Sequence, residues 1–305
     1  MSTAPPLSIG VPVYNGERYL AETLDSLLAQ DFADFTVVIS DNCSTDGTPD
    51  IAQSYAARDE RVTVLRHPEN IGAAANFSRL AQSARSPLFK WAAADDLCAP
   101  TFLTRCIDEL GAHPEAVLAH ARALMIDEDG EVLFPFSDHL VFLHPDPAVR
   151  IREYIRQYRF SNAAFGVIRT DVLKQTSLIA PTVWSDVTML AQLALRGGFA
   201  EVQEPLFLRR RAASSVGLGT LNRQQVQDWY HPGASRPRMP VLWRVSWDIQ
   251  RSIAAAPMSR PDRLRSLVYY RQARLEQVFE DGGRRTRQRM ARRLRQLGAP
   301  LPQSW

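Results

Sequence analysis

Short β-branched runs alternate with amphipathic helical segments over the first hundred residues, and this alternation restricts the fold more than any other feature of the chain. Leu7–Val13 reads as a buried strand, and Tyr19, Leu20, Leu24, Leu27 and Leu28 fall on one face of the helix after it. Phe35–Ile39 reads as a second strand, Thr48–Arg58 as a helix, Val62–Leu65 as a third strand, Ala73–Ala84 as a helix and Pro87–Trp91 as a fourth strand. Strands separated by helices of this length need crossover connections, which implies βαβ units in a mostly parallel sheet. Ligands of such sheets sit beyond the carboxyl ends of the strands. Three polar clusters fall there: after Val13, after Ile39 and after Trp91.

The pattern then loosens. Thr101–Leu110 reads as a helix with Gly111 as its C-cap. Ala116–Met125 and Glu131–Phe134 read as strands around the turn Asp127–Gly130. Ala163–Ile168 reads as a strand, Thr188–Arg196 as a helix ended by Gly197 and Gly198, and Glu204–Arg209 as a closing strand. Beyond about residue 220 the pattern is helical. Leu242, Val245, Ile249 and Ile253 share one face, and Leu264, Leu267, Val268, Leu275 and Val278 another. The expected organisation is an α/β domain over residues 1–228 and a basic, mainly helical extension over 229–305, parted by the loop Trp229–Pro237.

The net charge of +3 conceals a split. Residues 236–305 hold sixteen arginines and no lysine against five acidic groups, a net +11, while the other 235 residues hold 20 basic and 28 acidic groups, a net −8. Between Gly283 and Leu297, Met290, Leu294 and Leu297 recur at helical spacing among seven arginines. Such a segment suits an anionic membrane surface, or packs as a solvated face against the acidic body. No nucleic-acid recognition motif accompanies the charge, so nucleic acid is not an expected partner. The N-terminus lacks a basic region followed by an apolar one, and no apolar run approaches the ~18 residues of a membrane span. Cys43, Cys98 and Cys106 have no metal-ligand spacing and read as free thiols. The expected location is the cytoplasm, peripheral at the inner face of the cell membrane.

Ala94-Asp95-Asp96 directly follows the fourth strand. Adjacent carboxylates repel each other, and a divalent cation shared with substrate phosphates would relieve that cost. Asp96 as a plain helix N-cap is the simpler alternative. Asp41-Asn-Cys-Ser-Thr-Asp-Gly-Thr48 ends the second strand, where short polar side chains suit either an Asx-turn or contacts to a base or ribose. In Pro12-Val-Tyr-Asn-Gly16, Tyr14 either stacks on a base or packs.

Taken together, these segments resemble glycosyltransferase family 2, a group with the GT-A fold. The resemblance runs from about Leu7 to Ser215. Val11–Asn15 is similar to the family's opening strand and loop, Ser40–Thr48 to its second motif and Glu69–Asn76 to its N-x-G segment. Ala94–Asp96 stands at its metal motif, and Trp184-Ser-Asp186 with Leu190 and Arg196 is similar to its base-bearing helix. The resemblance implies a Rossmann-like α/β domain and an inverting transfer from a nucleotide sugar to a glycan or lipid-linked acceptor. It implies that Asp96 binds Mn²⁺ or Mg²⁺ on the donor diphosphate and that Asp95 reaches the ribose or the sugar. Asp41 and Asn42, with Pro12 and Tyr14, would hold the base. Asn15, Asn70 and Gly72 would lie on the donor side, Asp186 would act as general base, and Asn162 and Trp184 would meet the acceptor.

Three positions depart from the family pattern. Asn42 replaces a frequent aspartate, which leaves the donor open among UDP, dTDP and GDP sugars. Ala94 replaces the first carboxylate of the metal motif. Phe207–Ser215 lacks the histidine of the family's R-x-H element, and one register puts Arg211 in its place, the other Ala212. Arg209 and Arg211 are the arginines available to clamp a diphosphate. The acceptor would approach over Phe136–Phe160, and a homodimer is a further partner to consider. Two other classes compete: a sugar-phosphate nucleotidyltransferase, which needs a glycine-rich basic signature that Tyr14-Asn-Gly16 does not supply, and a non-catalytic donor-binding module, against which Asp41, Asp95, Asp96 and Asp186 count.

Overall fold

The computed structural model describes residues 5–137, 139–211, 223–233 and 239–277. The arginine-rich segment Gly283–Leu297 and positions 212–215 lie outside the described residues. Chain order is β1 (Leu7–Val13), α1 (Leu20–Leu28), β2 (Phe35–Asp41), α2 (Thr48–Arg58), β3 (Val62–Arg66), α3 (Ala73–Ser83), β4 (Leu88–Trp91), β5 (Leu97–Cys98) and α4 (Phe102–Ala112). There follow β6 (Ala116–Ile126), β7 (Val132–Pro135), α5 (Pro147–Gln157), a 3₁₀ turn (Asn162–Phe165), β8 (Val167–Arg169), α6 (Thr170–Leu173), α7 (Ser185–Arg196) and β9 (Gly198–Arg210). The helices α8 (Arg223–Tyr230) and α9 (Val241–Ala255) come next, and a last helix covers 260–277.

The described strands form one sheet in the order β3-β2-β1-β4-β8-β6-β9-β5, with β7 paired to β6. The run β3-β2-β1-β4 is parallel, as the crossovers require. Beyond it the sheet is mixed: β8 runs antiparallel to β4 and β6, and β9 runs parallel to β6. Helices cover both faces, which explains why β1 is buried at all seven positions. On one face α1, α2 and α4 pack on Ile9, Val11, Val37, Ala119, Ala121 and Val202. On the other, α3, α5, α7 and α9 pack on Phe89, Trp91, Leu118 and Phe199. The fold is thus the expected α/β arrangement with a helical C-terminal region.

Several details differ from the expected elements. Gly111 lies inside α4, which continues to Ala112 and ends at His113. Of the strand expected over Ala163–Ile168, only Val167 onward pairs, because Asn162–Phe165 coils into a 3₁₀ turn. A Cβ on Gly166 would lie 2.3 Å from the Ala119 carbonyl, so glycine lets this turn reach β6. The loop expected over Phe136–Phe160 contains α5, whose arginines mask its apolar face. One of them, Arg150, is buried and donates to the carbonyls of His144, Pro145, Ala194 and Leu195. The expected boundary at 228/229 falls inside α8, which packs on α3. Val245, Ile249, Ile253, Tyr270 and Ala273 join the same core as α7, so the described C-terminal helices share the packing of the α/β layers. Cys98 and Cys106 are buried free thiols and Cys43 a half-buried one.

Arg210, the last residue of β9, fixes the site edge. Its side chain is fully buried. It donates to the Glu22 carboxylate of α1 at 2.6 Å, to the Asp95 carbonyl at 3.0 Å and to the Asp127 and Glu128 carbonyls of the β6–β7 turn, and it lies over the Tyr19 ring. Arg210→Met keeps much of the volume but leaves the half-buried carbonyls of Asp95, Asp127 and Glu128 without their donor, while the exposed Glu22 carboxylate returns to water. The predicted loss is about 1–3 kcal/mol, the usual cost of leaving shielded acceptors unpaired. Urea unfolding of the two proteins measures it; a change below about 0.5 kcal/mol, the size of an ordinary surface substitution, would contradict the anchoring role.

Candidate active site

The β1 and β2 exits lie side by side, since Val13 pairs with Asp41. Pro12 is buried in β1 at a point where β4 has already ended, because the β1–β4 register stops at Gly10 and Trp91. Its missing N–H therefore removes no bond to that neighbour. The two exit loops are stapled together. Asn15, at φ 51°, accepts from the Thr45 N–H at 2.9 Å, and its own N–H donates to Ser44 Oγ. The Gly16 N–H donates to Thr48 Oγ1, and Glu17 Oε2 accepts from the Gly47 N–H. Asn15 thus shapes the loop, while the Tyr14 ring beside it stands half exposed.

Asp41 is fully buried. Its Oδ1 accepts from the Ser44 N–H at 2.9 Å. Its Oδ2 makes no hydrogen bond within the described structure, although Arg66 Nε stands 3.3 Å away, so the arginine supplies charge without alignment. Asn42 is committed differently. Its amide donates to Asn70 Oδ1 at 2.8 Å and its carbonyl accepts from the Ile71 N–H, while Asn70 Oδ1 also accepts from the Gly72 N–H. The two asparagines lock the 70–72 turn. Gly72 has φ 80°, and a Cβ there would lie 2.7 Å from both the Tyr230 carbonyl and Pro232 Cδ. Glycine is required for the end of α8 to close on this turn.

Asp95 and Asp96 follow β4. Asp96 is buried, and its Oδ1 accepts from the Arg210 N–H at 2.8 Å while its carbonyl accepts from Thr23 Oγ1. Burial, reinforced by the charge of Asp95, pushes the Asp96 carboxyl up to about 7. Burial also raises Asp95, against the opposing charges of Arg209 and Arg210. Two adjacent carboxyls, one buried and one half-buried, that resist ionisation are the donor set a divalent cation would relieve. No cluster of three or more His, Cys, Asp or Glu side chains exists among the described residues, so a cation here would take its remaining ligands from substrate phosphates and water. Arg209 donates to Asn162 Oδ1 at 2.7 Å, and Asn162 donates to the Phe136 carbonyl at 2.6 Å. Arg211 is exposed and held through its N–H by the Ile126 carbonyl.

Asp186 sits in the first turn of α7, where the helix N-terminus favours a carboxylate. The N-cap position itself is taken by Trp184, so Asp186 lies inside the helix. The residue before the helix, Trp184, takes a left-handed conformation at φ 64° with its ring half exposed. Asp186 Oδ1 is shielded from solvent and has no hydrogen-bond partner in the described structure. The Tyr154 hydroxyl donates to the Val187 carbonyl, Arg244 of α9 donates to the Val183 carbonyl, and the buried Tyr230 ring lies within reach of the Asp186 charge. Burial and the Asp186 charge keep that tyrosine protonated.

These contacts join the clusters at one edge. Asp186 adjoins Tyr230, whose backbone closes on Gly72 and so on the Asn70–Asn42 pair. The 3₁₀ turn carrying Asn162 packs against α7, and Asn162 binds Arg209 beside Asp95 and Asp96. Sequence reasoning missed Arg210 and Lys90. Lys90 is buried in β4, donates to the Phe165 carbonyl and lies 4.3 Å from the Phe102 ring centre, and its charge opposes protonation of Asp96. Its rarity, as one of two lysines in the chain, was the available signal.

Comparison with known proteins agrees with this geometry. The family model described as glycosyl transferase family 2 matches residues 8–164, just over half of the chain. The putative glycosyltransferase EpsE of Bacillus subtilis is 30% identical over 131 residues, which are 43% of this chain and 47% of that protein. The putative teichuronic acid biosynthesis glycosyltransferase TuaG, also of Bacillus subtilis, is 37% identical over 92 residues, 30% of this chain and 36% of that one. The chain thus matches less than half the length of these relatives. The crystal structure of S. aureus TarS 1–349 in complex with UDP-GlcNAc shares the fold, with a TM-score of 0.64 at 18% identity over 88% of this chain and 72% of that one. On the family match, with the sheet and the ordered polar segments, the chain belongs to glycosyl transferase family 2.

Proposed function

We propose that the chain moves a sugar from a nucleoside diphosphate donor to a hydroxyl of a glycan or lipid-linked acceptor, with inversion at the anomeric carbon. The observation that carries this reading is the sheltered, unpartnered Asp186 Oδ1 at a helix N-terminus beside the donor loops. A buried carboxylate oxygen left without a donor costs stability, so a substrate hydroxyl is its fitting partner. TarS shares the fold and is solved with UDP-GlcNAc, which makes a UDP sugar the first donor to test.

The geometry supports the following roles in this reading. Asp41 Oδ2 accepts a base or ribose hydrogen, Tyr14 offers its exposed ring for stacking on the base, and Asp95 receives the ribose or sugar hydroxyls. Asp96, with Asp95, would hold Mn²⁺ or Mg²⁺. A cation bound there neutralises charge on the leaving diphosphate. Arg209 and Arg211 contribute positive charge on the same side. The acceptor oxygen attacks the anomeric carbon as its proton passes to Asp186. The bond from that carbon to the β-phosphate oxygen breaks, and the nucleoside diphosphate leaves. Asn162 and Trp184 flank the acceptor path. Attachment to an anionic membrane would draw on the exposed Trp243, Trp247 and Leu242 of α9 together with the arginine-rich C-terminal residues. No helix among the described residues is long and apolar enough to cross a membrane.

Two predictions follow from these assignments. Asp186→Asn should bind the donor normally but lose transfer by about 10²–10⁴-fold, since a general base acts on the transition state. Calorimetric titration of the donor beside a transfer assay checks this; equal loss of binding and turnover would move Asp186 to the donor side. The second concerns Asp96, whose carboxyl stays protonated to higher pH in the folded chain than in the unfolded one. Without a cation, its contribution to stability is complete below about pH 4 and is lost as pH rises through about 7. Asp96→Asn keeps the oxygen that accepts from the Arg210 N–H and removes this loss. The variant should therefore melt above wild type at about pH 8 but not at about pH 4, and Mn²⁺ should raise the melting point of wild type alone. Matching pH profiles, or a full Mn²⁺ response in the variant, would contradict the assignment.

A further inference from the structure

A hollow opens beside the proposed transfer site, on the sheet between β7, β6 and β9. The β6–β9 register shifts on both sides of Arg122 and sets Arg122 against Pro205, which cannot donate to the ladder. Over this irregularity lies an open hollow of about 560 Å³, within the ~300–1,000 Å³ typical of ligand sites. Its walls carry Phe134, Phe136 and Phe160, and the polar groups Arg122, Gln203 and His139 line it too. The Phe136 and Phe160 ring centres are 3.8 Å apart, and Phe134 meets Phe136 edge-on at 6.4 Å. Behind the polar side lies Glu201, its side chain 1% exposed. Glu201 Oε2 accepts from Arg122 Nε and Gln203 Nε2, both at 3.2 Å. Glu201 Oε1 is shielded and makes no hydrogen bond, although His139 Nδ1 lies 3.4 Å away.

We propose that this hollow binds a neutral saccharide unit. A pyranose has C–H faces and a rim of hydroxyls. The negative face of an aromatic ring attracts polarised C–H bonds. The Arg122 guanidinium and the exposed Gln203 amide, oriented by Glu201 Oε2 and by the bond Arg122 donates to Gln203 Oε1, offer their remaining donor and acceptor positions to hydroxyls. The charge balance excludes the neighbouring ligand classes. Glu201 cancels Arg122, so a phosphate or uronate meets no net positive charge. An acyl or prenyl chain would desolvate Arg122 and Gln203 and return no hydrogen bonds. The hollow adjoins the transfer site, because Asn162 binds the Phe136 carbonyl on one side and Arg209 on the other. Assigning the saccharide to the acceptor, one or more units from the reacting hydroxyl, rests on the activity proposed above; the binding itself does not.

The test uses the full chain on an array of neutral hexose and N-acetylhexosamine oligosaccharides with uronic-acid and phosphorylated counterparts, followed by saturation-transfer NMR on the sugars retained. Phe160→Ala and Gln203→Leu are compared with wild type, and UDP, dTDP and GDP binding is measured on the same samples. The expected result is retention of neutral oligosaccharides, weakened about tenfold by either substitution, the size of one lost aromatic or hydrogen-bonded contact, with nucleotide binding unchanged. Retention of no neutral sugar, of anionic sugars alone, or of neutral sugars equally by wild type and both variants would overturn the proposal. Nucleotide binding without sugar binding defeats this site and leaves the transferase reading standing. Sugar binding without any nucleotide binding does the reverse.

Discussion

From a position without solvent exposure, Arg210 binds the carbonyls of Asp95, Asp127 and Glu128 and the carboxylate of Glu22, while its N–H holds Asp96 Oδ1. Four segments distant in sequence meet on this one residue: α1, the turn after β4, the β6–β7 turn and the end of β9. A guanidinium is suited to this because its five donors form a rigid planar fork that stays charged when buried. The Asp96 carboxyl is consequently held by the backbone of β9, and the turn that carries Asp95 by the Arg210 side chain through the Asp95 carbonyl. The neighbouring Arg209 reaches the same edge from that strand and is oriented by Asn162.

The remaining physics of the site is the handling of buried negative charge. Asp41 and Asp186 each keep a sheltered carboxylate oxygen without a hydrogen bond, and Asp95 and Asp96 are both raised by burial. A fold that sought only stability would satisfy or remove such groups. Asp41, Asp95 and Asp96 at the exits of the parallel strands suit the proposed donor, and Asp186 in the first turn of α7 the proposed acceptor hydroxyl. Glu201 repeats the pattern in the adjacent aromatic hollow, where Arg122 and Gln203 satisfy one oxygen and leave the other.

The parallel half of the sheet was legible in the sequence because its strands are short, β-branched and separated by helices of regular period. The polar clusters that hold Asp41, Asp95 and Asp96 were legible as the exits of those strands, whereas Asp186 was singled out only through the family resemblance. Less legible were features decided by long-range contacts. The helix α5 was hidden because Arg150 and its neighbours break the apolar pattern, and only packing against α7 shows that Arg150 is an inward residue. Arg210 lay between two arginines, and nothing local marks which of the three is buried. Asn42 and Asn70 were read as donor contacts, whereas the fold uses their amides to bind each other and the 70–72 turn. Asn15 similarly spends its side chain on the β2 exit loop. Short polar residues serve a loop and a ligand equally well, so their sequence pattern does not separate the two uses.

Inverting transfer from a nucleotide sugar is the central claim, and the fate of the donor tests it most directly. The purified chain is incubated with UDP, dTDP and GDP sugars and Mn²⁺ while ³¹P and ¹H NMR follow the phosphates and the anomeric proton. The account predicts release of a nucleoside diphosphate and a sugar, on an acceptor or on water, with initial anomeric configuration opposite to that of the donor. Retained configuration, or cleavage within the diphosphate to a nucleoside monophosphate and a sugar 1-phosphate, would contradict it.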